Sequence, residues 1–276
     1  MPPAPLKAVH TWSLFRTLGR FVAPGSMPSG DLPEGGGPGL SLLDLPAALA
    51  SHGYRSAQLC HFYLADRAPG YLAEVRGAFA EAGVEIECLL VDDGDITDPN
   101  ADHLSWVSGW IAAAEELGAP RARVIAGQRT DPDAVALSAQ RLIELADRHP
   151  GTRLVTENWH ALLRDAATVN RLLDATDGRI GFLIDLGNWT GPGKYDELAR
   201  VAGRAETCQA KVTTDAAGQI DVDDYRRCLT ILRDAEYAGP LALVYDGADP
   251  DEWGALDRAY SLVESVFGDG TSGAEQ

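Results

Sequence analysis

The chain has 276 residues, 45% hydrophobic and 23% charged, the composition of an ordinary globular protein with room for one large α/β barrel or two small domains. A formal net charge of -18 without clustered Lys and Arg argues against a protein that tracks a phosphate backbone, and leaves open a small anionic substrate held locally. The amino terminus has no signal-type apolar core, no run approaches membrane-spanning length, and Cys60, Cys88, Cys208 and Cys228 show no CxxC spacing. A cytoplasmic protein with free buried thiols is expected, with neither nucleic acid nor membrane as partner.

Strand-like and helix-like segments alternate along nearly the whole length, in eight repeats. Strands are expected at Ala8 to Leu14, Ser56 to Phe62, Glu85 to Val91, Ala122 to Ala126, Arg153 to Glu157, Ile180 to Asp185, Thr207 to Val212 and Leu241 to Tyr245. Helices follow from about Leu42, Tyr71, His103, Asp133, Ala161, Tyr195, Val222 and Asp251, several introduced by Asp or Pro. Gly53, Gly83, Gly118 and Gly239 stand as helix stops before the next strand. Eight such units most simply close into a single (β/α)8 TIM barrel over residues 1–267, with a frayed tail at 268–276. The Gly/Pro-rich stretch at 18–40 is too long for an ordinary connection, and after the first strand it would lie as a lid, or as a passive insert, over the carboxyl end of the barrel.

Glu157 and Asp185 each close an apolar strand, which carries both to the mouth of such a barrel. Gln209 and Lys211 share one face of the seventh strand by its period of two. Oxygen ligands on adjacent strands suit a hard or borderline divalent cation, and carboxylates in a low-dielectric mouth need a cation of some kind. Lys211 offers that cation without any metal, or a group to polarise a substrate oxygen. A strand-end acid can instead cap the next helix or pair with a barrel Arg. Arg123, inward or outward of the fourth strand, is a weaker candidate, and Asp92 and Asp93 read as turn or cap residues.

Among the histidines, His61 and His160 fall just past strand ends, where neutral imidazole can bind metal or move a proton; His10 also ends a strand. Trp12, Phe62, Tyr63, Trp159, Trp189 and Tyr245 gather at the same end, as core or as an apolar wall for a ligand. There is no GxxxxGK, no GxGxxG after a strand and no nucleophile elbow.

With these residues in view, the chain resembles the sugar phosphate isomerase/epimerase family, with its xylose isomerase-like TIM barrel, from about Leu42 to Glu264. The fragments that carry the likeness are Trp110 to Gly118 with Arg123 to Gly127, then Glu157-Asn158, Asp185-Leu186-Gly187-Asn188, Gln209-Ala210-Lys211 and Glu236 to Leu241. The resemblance implies one divalent metal, Mn, Mg, Zn or Co, on Glu, Asp, His and Glu at the ends of strands five to eight. Glu157 and Asp185 take the first two places, and Gln209 stands where His is usual, a change that hydroxypyruvate isomerase-like members share. The fourth place is Val244, which can neither bind metal nor accept a proton. The family's enediolate chemistry, with a glutamate on each side, therefore lacks one partner, and Asp246, roughly 6 to 7 Å farther along the strand, or His61 or His160 would have to replace it.

The resemblance implies an enzyme that isomerises or epimerises a sugar, polyol or keto substrate by proton transfer through an enediolate. Glu157, Lys211, His61, His160 and Asp246 are its candidate catalytic residues, and Glu157, Asp185 and Gln209 its candidate metal ligands. A lyase, dehydratase or cyclase of secondary metabolism shares the intermediate, and Val244 raises that alternative. A binding protein that has lost catalysis is a further alternative, while a DNA endonuclease of the related barrel type conflicts with the net charge and with Gln209. Barrels of this class often associate into homo-oligomers, although no long exposed apolar helix face singles out an interface.

Overall fold

Strand registers determine everything at the mouth of this molecule. In the computed structural model, which describes residues 5–19 and 39–268, eight parallel strands pair in chain order and the last pairs with the first, Ala8 opposite Ala242, closing the barrel. The strands are β1 (Lys7–His10), β2 (Ser56–Cys60), β3 (Glu85–Val91), β4 (Arg121–Val124), β5 (Arg153–Glu157), β6 (Gly181–Asp185), β7 (Ala205–Lys211) and β8 (Leu241–Val244). Around them lie α1 (Phe15–Leu18), α2 (Leu45–Ser51), α3 (Pro69–Ala82), α4 (Ala101–Leu117), α5 (Ala134–Arg148), α6 (Ala166–Ala175), α7 (Lys194–Val201), α8 (Val222–Asp234) and α9 (Glu252–Gly268). The single (β/α)8 barrel expected from the repeats is therefore the fold. The proposed lid falls almost wholly on residues 20–38, and the tail on 269–276, both outside the described residues.

Local chemistry sets the element ends. Asn100, Asp165 and Asp221 each present a side-chain oxygen to a backbone N–H in the first turn of α4, α6 and α8, at 3.1, 2.8 and 3.0 Å, which satisfies donors the helix itself cannot. Gly83 and Gly118 end α3 and α4 in the left-handed region, as expected of stops. Gly239 does not: the left-handed residue after α8 is Glu236, and Gly239 is small because a Cβ there would stand 2.5 Å from the Glu206 carbonyl. The first strand is also shorter than expected. The His10 ring accepts the Trp12 N–H at 3.0 Å and turns residues 11–14 into a tight 3-10 turn. The sixth helix starts later than Ala161, because Asp165 is its cap.

The barrel interior has a polar floor and a polar mouth. At the floor, Gln58 on β2 donates to Glu87 on β3 and to Thr207 across the barrel, both at 3.0 Å, and Arg121 pairs with Glu87 at 3.0 Å. Burial raises the Glu87 pKa, with Arg121 and Gln58 opposing. Between sheet and helices the core is aliphatic and aromatic, and all four cysteines lie buried as free thiols. Among the described residues no helix is long and apolar enough to cross a membrane.

Removing the Arg121 charge would leave Glu87 buried without its counter-ion. Arg121→Met is expected to cost about 2 to 3 kcal/mol in chemical denaturation, most of it recovered by adding Glu87→Gln. An unchanged midpoint in the single variant would contradict this description of the floor.

Candidate active site at the barrel mouth

One buried guanidinium organises the carboxyl end of the strands. Arg123 on β4 is 1% exposed. It pairs with Asp92, just past β3, through Nη2, donates from Nη1 to the Val91 carbonyl at 3.2 Å, and sets Nε 3.0 Å from Glu157 Oε2 on β5. Its flat face lies 5.0 Å from the centre of the Trp159 ring. Burial alone would lower the Arg123 pKa, but Asp92 and Glu157 outweigh it and the group stays charged. Burial likewise works to raise Asp92, while Arg123 and His61 hold it down at about 2.

Glu157 is in the opposite state. Burial pushes its pKa up to about 7, aided by the Asp185 charge and opposed by Arg123. The amide of Asn188 donates to its Oε1 at 2.6 Å. Asp185 ends β6 beside it, with Oδ1 accepting the Gly187 and Asn188 N–H groups at 2.6 and 2.7 Å. Asn158 ties the two strand ends together, accepting from the Asp185 N–H at 2.7 Å and donating to its carbonyl at 2.9 Å. Burial raises Asp185 as well, with Lys211 opposing.

The β6–β7 register sets Gln209 opposite Asp185, and the β7–β8 register sets Lys211 opposite Val244. The Gln209 amide lies against both acids, and with its nitrogen turned toward them it would donate to Glu157 Oε1 at 3.3 Å and to Asp185 Oδ2 at 3.0 Å. Lys211 pairs with Asp246 Oδ2 at 2.8 Å, and burial is outweighed by Asp185 and Asp246 in keeping it protonated. Its stem lies over Gly187, where a Cβ would come within 2.8 Å of Lys211 Cγ. Glu157, Asp185, Gln209, Lys211 and Asp246 thus share the mouth.

The two histidines expected to join them do not contact the acids or Lys211. His61 is buried among aromatic rings, with centres 4.9 Å from Trp110 and 5.3 Å from Trp106. Its Nδ1 accepts the Asp92 N–H at 3.1 Å, so it steadies Asp92 and, through it, Arg123. His160 has a left-handed backbone, φ 58°, and its ring lies tilted by 35° against Trp159 with centres 4.0 Å apart. It lines a cavity of about 440 Å³ with Trp159, Asn188, Trp189 and Lys194, to which neither Glu157 nor Asp185 contributes. Sequence reasoning ranked Arg123 and Asp92 too low, and gave His10 no role. Burial holds the His10 pKa at about 3, so this strand-end ring is neutral within reach of the charges of Asp92 and Arg123.

The donor set does not fit a divalent metal. Among the described residues no group of three His, Cys, Asp or Glu side chains converges. The Arg123 guanidinium already stands 3.0 Å from Glu157 Oε2, the Asn188 amide occupies Glu157 Oε1, and two backbone donors occupy Asp185 Oδ1. The place on β8 is the buried side chain of Val244.

The model of the xylose isomerase-like TIM barrel family matches residues 46–259. Similar solved structures include a xylose isomerase domain protein from Planctomyces limnophilus, 18% identical, covering 96% of this chain and 98% of that one with a TM-score of 0.68. A 3-keto-D-glucoside 4-epimerase from E. coli is 16% identical over 87% of this chain and 98% of its own, with a TM-score of 0.63. A D-psicose 3-epimerase from Clostridium cellulolyticum H10, solved with D-tagatose, is 11% identical over 95% and 99%, with a TM-score of 0.66. At these identities the likeness is one of fold. No curated protein matches the chain.

Between the ordinary 4.5 and about 7, folded Glu157 keeps a proton that the unfolded chain has lost, so its contribution to stability falls as pH rises through that window. Glu157→Gln is expected to flatten that decline in denaturation measured from pH 5 to 8, and parallel curves for the two proteins would refute the raised affinity.

Proposed function

The chain belongs to the xylose isomerase-like TIM barrel family, and we propose that it is an enzyme of the sugar isomerase/epimerase type, moving a proton beside a carbonyl of a small polyhydroxylated or keto substrate. The observation that carries this reading is a buried carboxylate, Glu157, set at a strand end between a fixed guanidinium and hydrogen-bonding amides. A base there, with a proton affinity near neutrality, suits abstraction of a weakly acidic C–H. The C–H electrons become the C=C of an enediolate, and the former carbonyl oxygen takes the negative charge. Returning the proton to the former carbonyl carbon, while the hydroxyl proton passes to the oxyanion, isomerises the substrate, and returning it to the opposite face of the original carbon epimerises it.

With Val244 in place of a second strand-end acid, Glu157 working from one face supports isomerisation more than two-sided epimerisation. Asp246 is held by Lys211, which makes it a partner of the electrophile rather than a free base. Elimination from the same intermediate is a second reading, favoured by Val244 alone, since it needs no acid on the opposite face to return a proton to carbon.

Proteins of similar structure include an L-ribulose 3-epimerase, D-psicose 3-epimerases solved with D-fructose and D-tagatose, and a 3-keto-D-glucoside 4-epimerase, which makes these ketoses and keto-glucosides a first panel. Glu157→Gln is expected to lower turnover of any accepted member about 1000-fold or more with the fold retained by circular dichroism. Full activity in that variant would remove Glu157 as the base. Gly187→Ala, which drives a methyl into the Lys211 stem, is expected to lower kcat about 10-fold or more, since misplaced groups at a site are costly. An unchanged kcat would show that Lys211 is not held for the reaction.

A further inference from the structure

We propose that this barrel mouth works without a resident divalent metal, the Arg123 guanidinium and the Lys211 ammonium supplying the positive charge that meets an enediolate oxygen. The inference rests on the proton-transfer reading and adds to it the electrophile. Three observations lead there. First, the place of a cation is already taken by positive charge: Arg123 Nε stands 3.0 Å from Glu157 Oε2 without an aligned hydrogen bond, Glu157 Oε1 takes the Asn188 amide, and Asp185 Oδ1 takes two backbone N–H groups. Second, the place on β8 is Val244, a buried apolar side chain that leaves a cation one oxygen ligand short.

Third, the cations are built in. Arg123 is wholly buried on β4, with Asp92 behind it and Trp159 beneath it, so its position does not depend on a ligand. Asp92 is itself fixed from the far side by the His61 ring, packed between Trp106 and Trp110. Lys211 reaches the mouth from β7, three strands away, with its stem bedded on Gly187 and its ammonium on Asp246. Such preorganised charges aimed at a site of developing negative charge act in a water-poor cleft without reorganising, the same service a metal ion renders. The Arg123 Nε has no aligned hydrogen-bond acceptor in the free protein, although it is buried. A substrate oxygen arriving beside Glu157 would supply one.

In the step assigned here, Glu157 takes the proton from carbon, the C–H pair forms the C=C bond, and the carbonyl π pair moves onto oxygen. That oxygen is met by Arg123 and Lys211, no electron leaves the substrate, and on collapse Glu157 returns its proton to the former carbonyl carbon while the substrate's hydroxyl proton passes to the oxyanion, leaving the new carbonyl.

Two measurements on the full-length protein test the proposal. Calorimetric titration of chelator-treated protein with Mn²⁺ is expected to show no one-to-one binding at concentrations up to about 1 mM, where a dissociation constant corresponds to only about 4 kcal/mol. Binding at one equivalent in the micromolar range, lost in Glu157→Gln, would overturn it. Glycolohydroxamate, a mimic of an enediolate, is then titrated with EDTA and again with Mn²⁺. Binding in EDTA, weakened about 10-fold or more by Lys211→Met, is expected, as for a lost charge-assisted hydrogen bond. Lys211 is partly exposed and its replacement keeps the apolar stem, so this variant remains informative where Arg123→Gln fails to fold. Binding only with Mn²⁺ would overturn this proposal alone, and binding in neither condition would remove the proton-transfer reading together with it.

Discussion

The mouth of this barrel depends on the burial of one arginine. A guanidinium taken out of water loses several kcal/mol of hydration unless acids replace it, so Arg123 dictates that Asp92 and Glu157 approach it from the strands on either side. The two acids then part company. Asp92 has a second support in His61 and remains ionised, whereas Glu157 has Asp185 for a neighbour and holds its proton far above the usual carboxylate range. The difference between a structural acid and a chemical one arises here from which charges stand next to it.

The rest of the mouth adjusts to that division. Asp185 is satisfied largely by the backbone of its own turn, which leaves Asn188 free to reach Glu157, and the Gln209 amide lies against both acids from β7. Lys211 closes the ring of charge from the far side, paired with Asp246 beyond the end of β8. Where Val244 removes one acid, the barrel keeps a base on one face and cations near it. The cavity lined by Trp159 and Trp189 reaches this base only through Asn188, which donates to Glu157, and its aromatic walls suit the apolar face of a ring.

Much of this was legible in the chain. Each apolar strand run ends in a residue of chemical interest, and parallel strands closing a barrel bring all such ends to one face, so Glu157, Asp185, Gln209 and Lys211 could be placed together from the strand pattern. What the pattern could not supply was direction and partnership. Arg123 sits in a strand too short for its alternation to say which side faces inward, and it is recognised only when its acids appear around it. His61 and His160 lie near the mouth as expected, yet a cage of indoles holds one and a left-handed turn re-aims the other. The Gln209 amide orientation depends on neighbours from two other strands. Gly239 misled because close backbone packing, not helix termination, requires its missing side chain.

The central claim is that a proton leaves carbon for Glu157 while side-chain cations hold the enediolate. It is tested most directly by turning over an accepted ketose in deuterium oxide with EDTA present and following the substrate carbons by NMR. The account predicts deuterium at the carbon next to the carbonyl, entering at least as fast as product forms, because a base that holds the proton exchanges it with solvent. Product formed without any deuterium would mean that hydrogen passes directly between carbons, and strict dependence on added metal would mean that the two cations do not suffice; either result would contradict it.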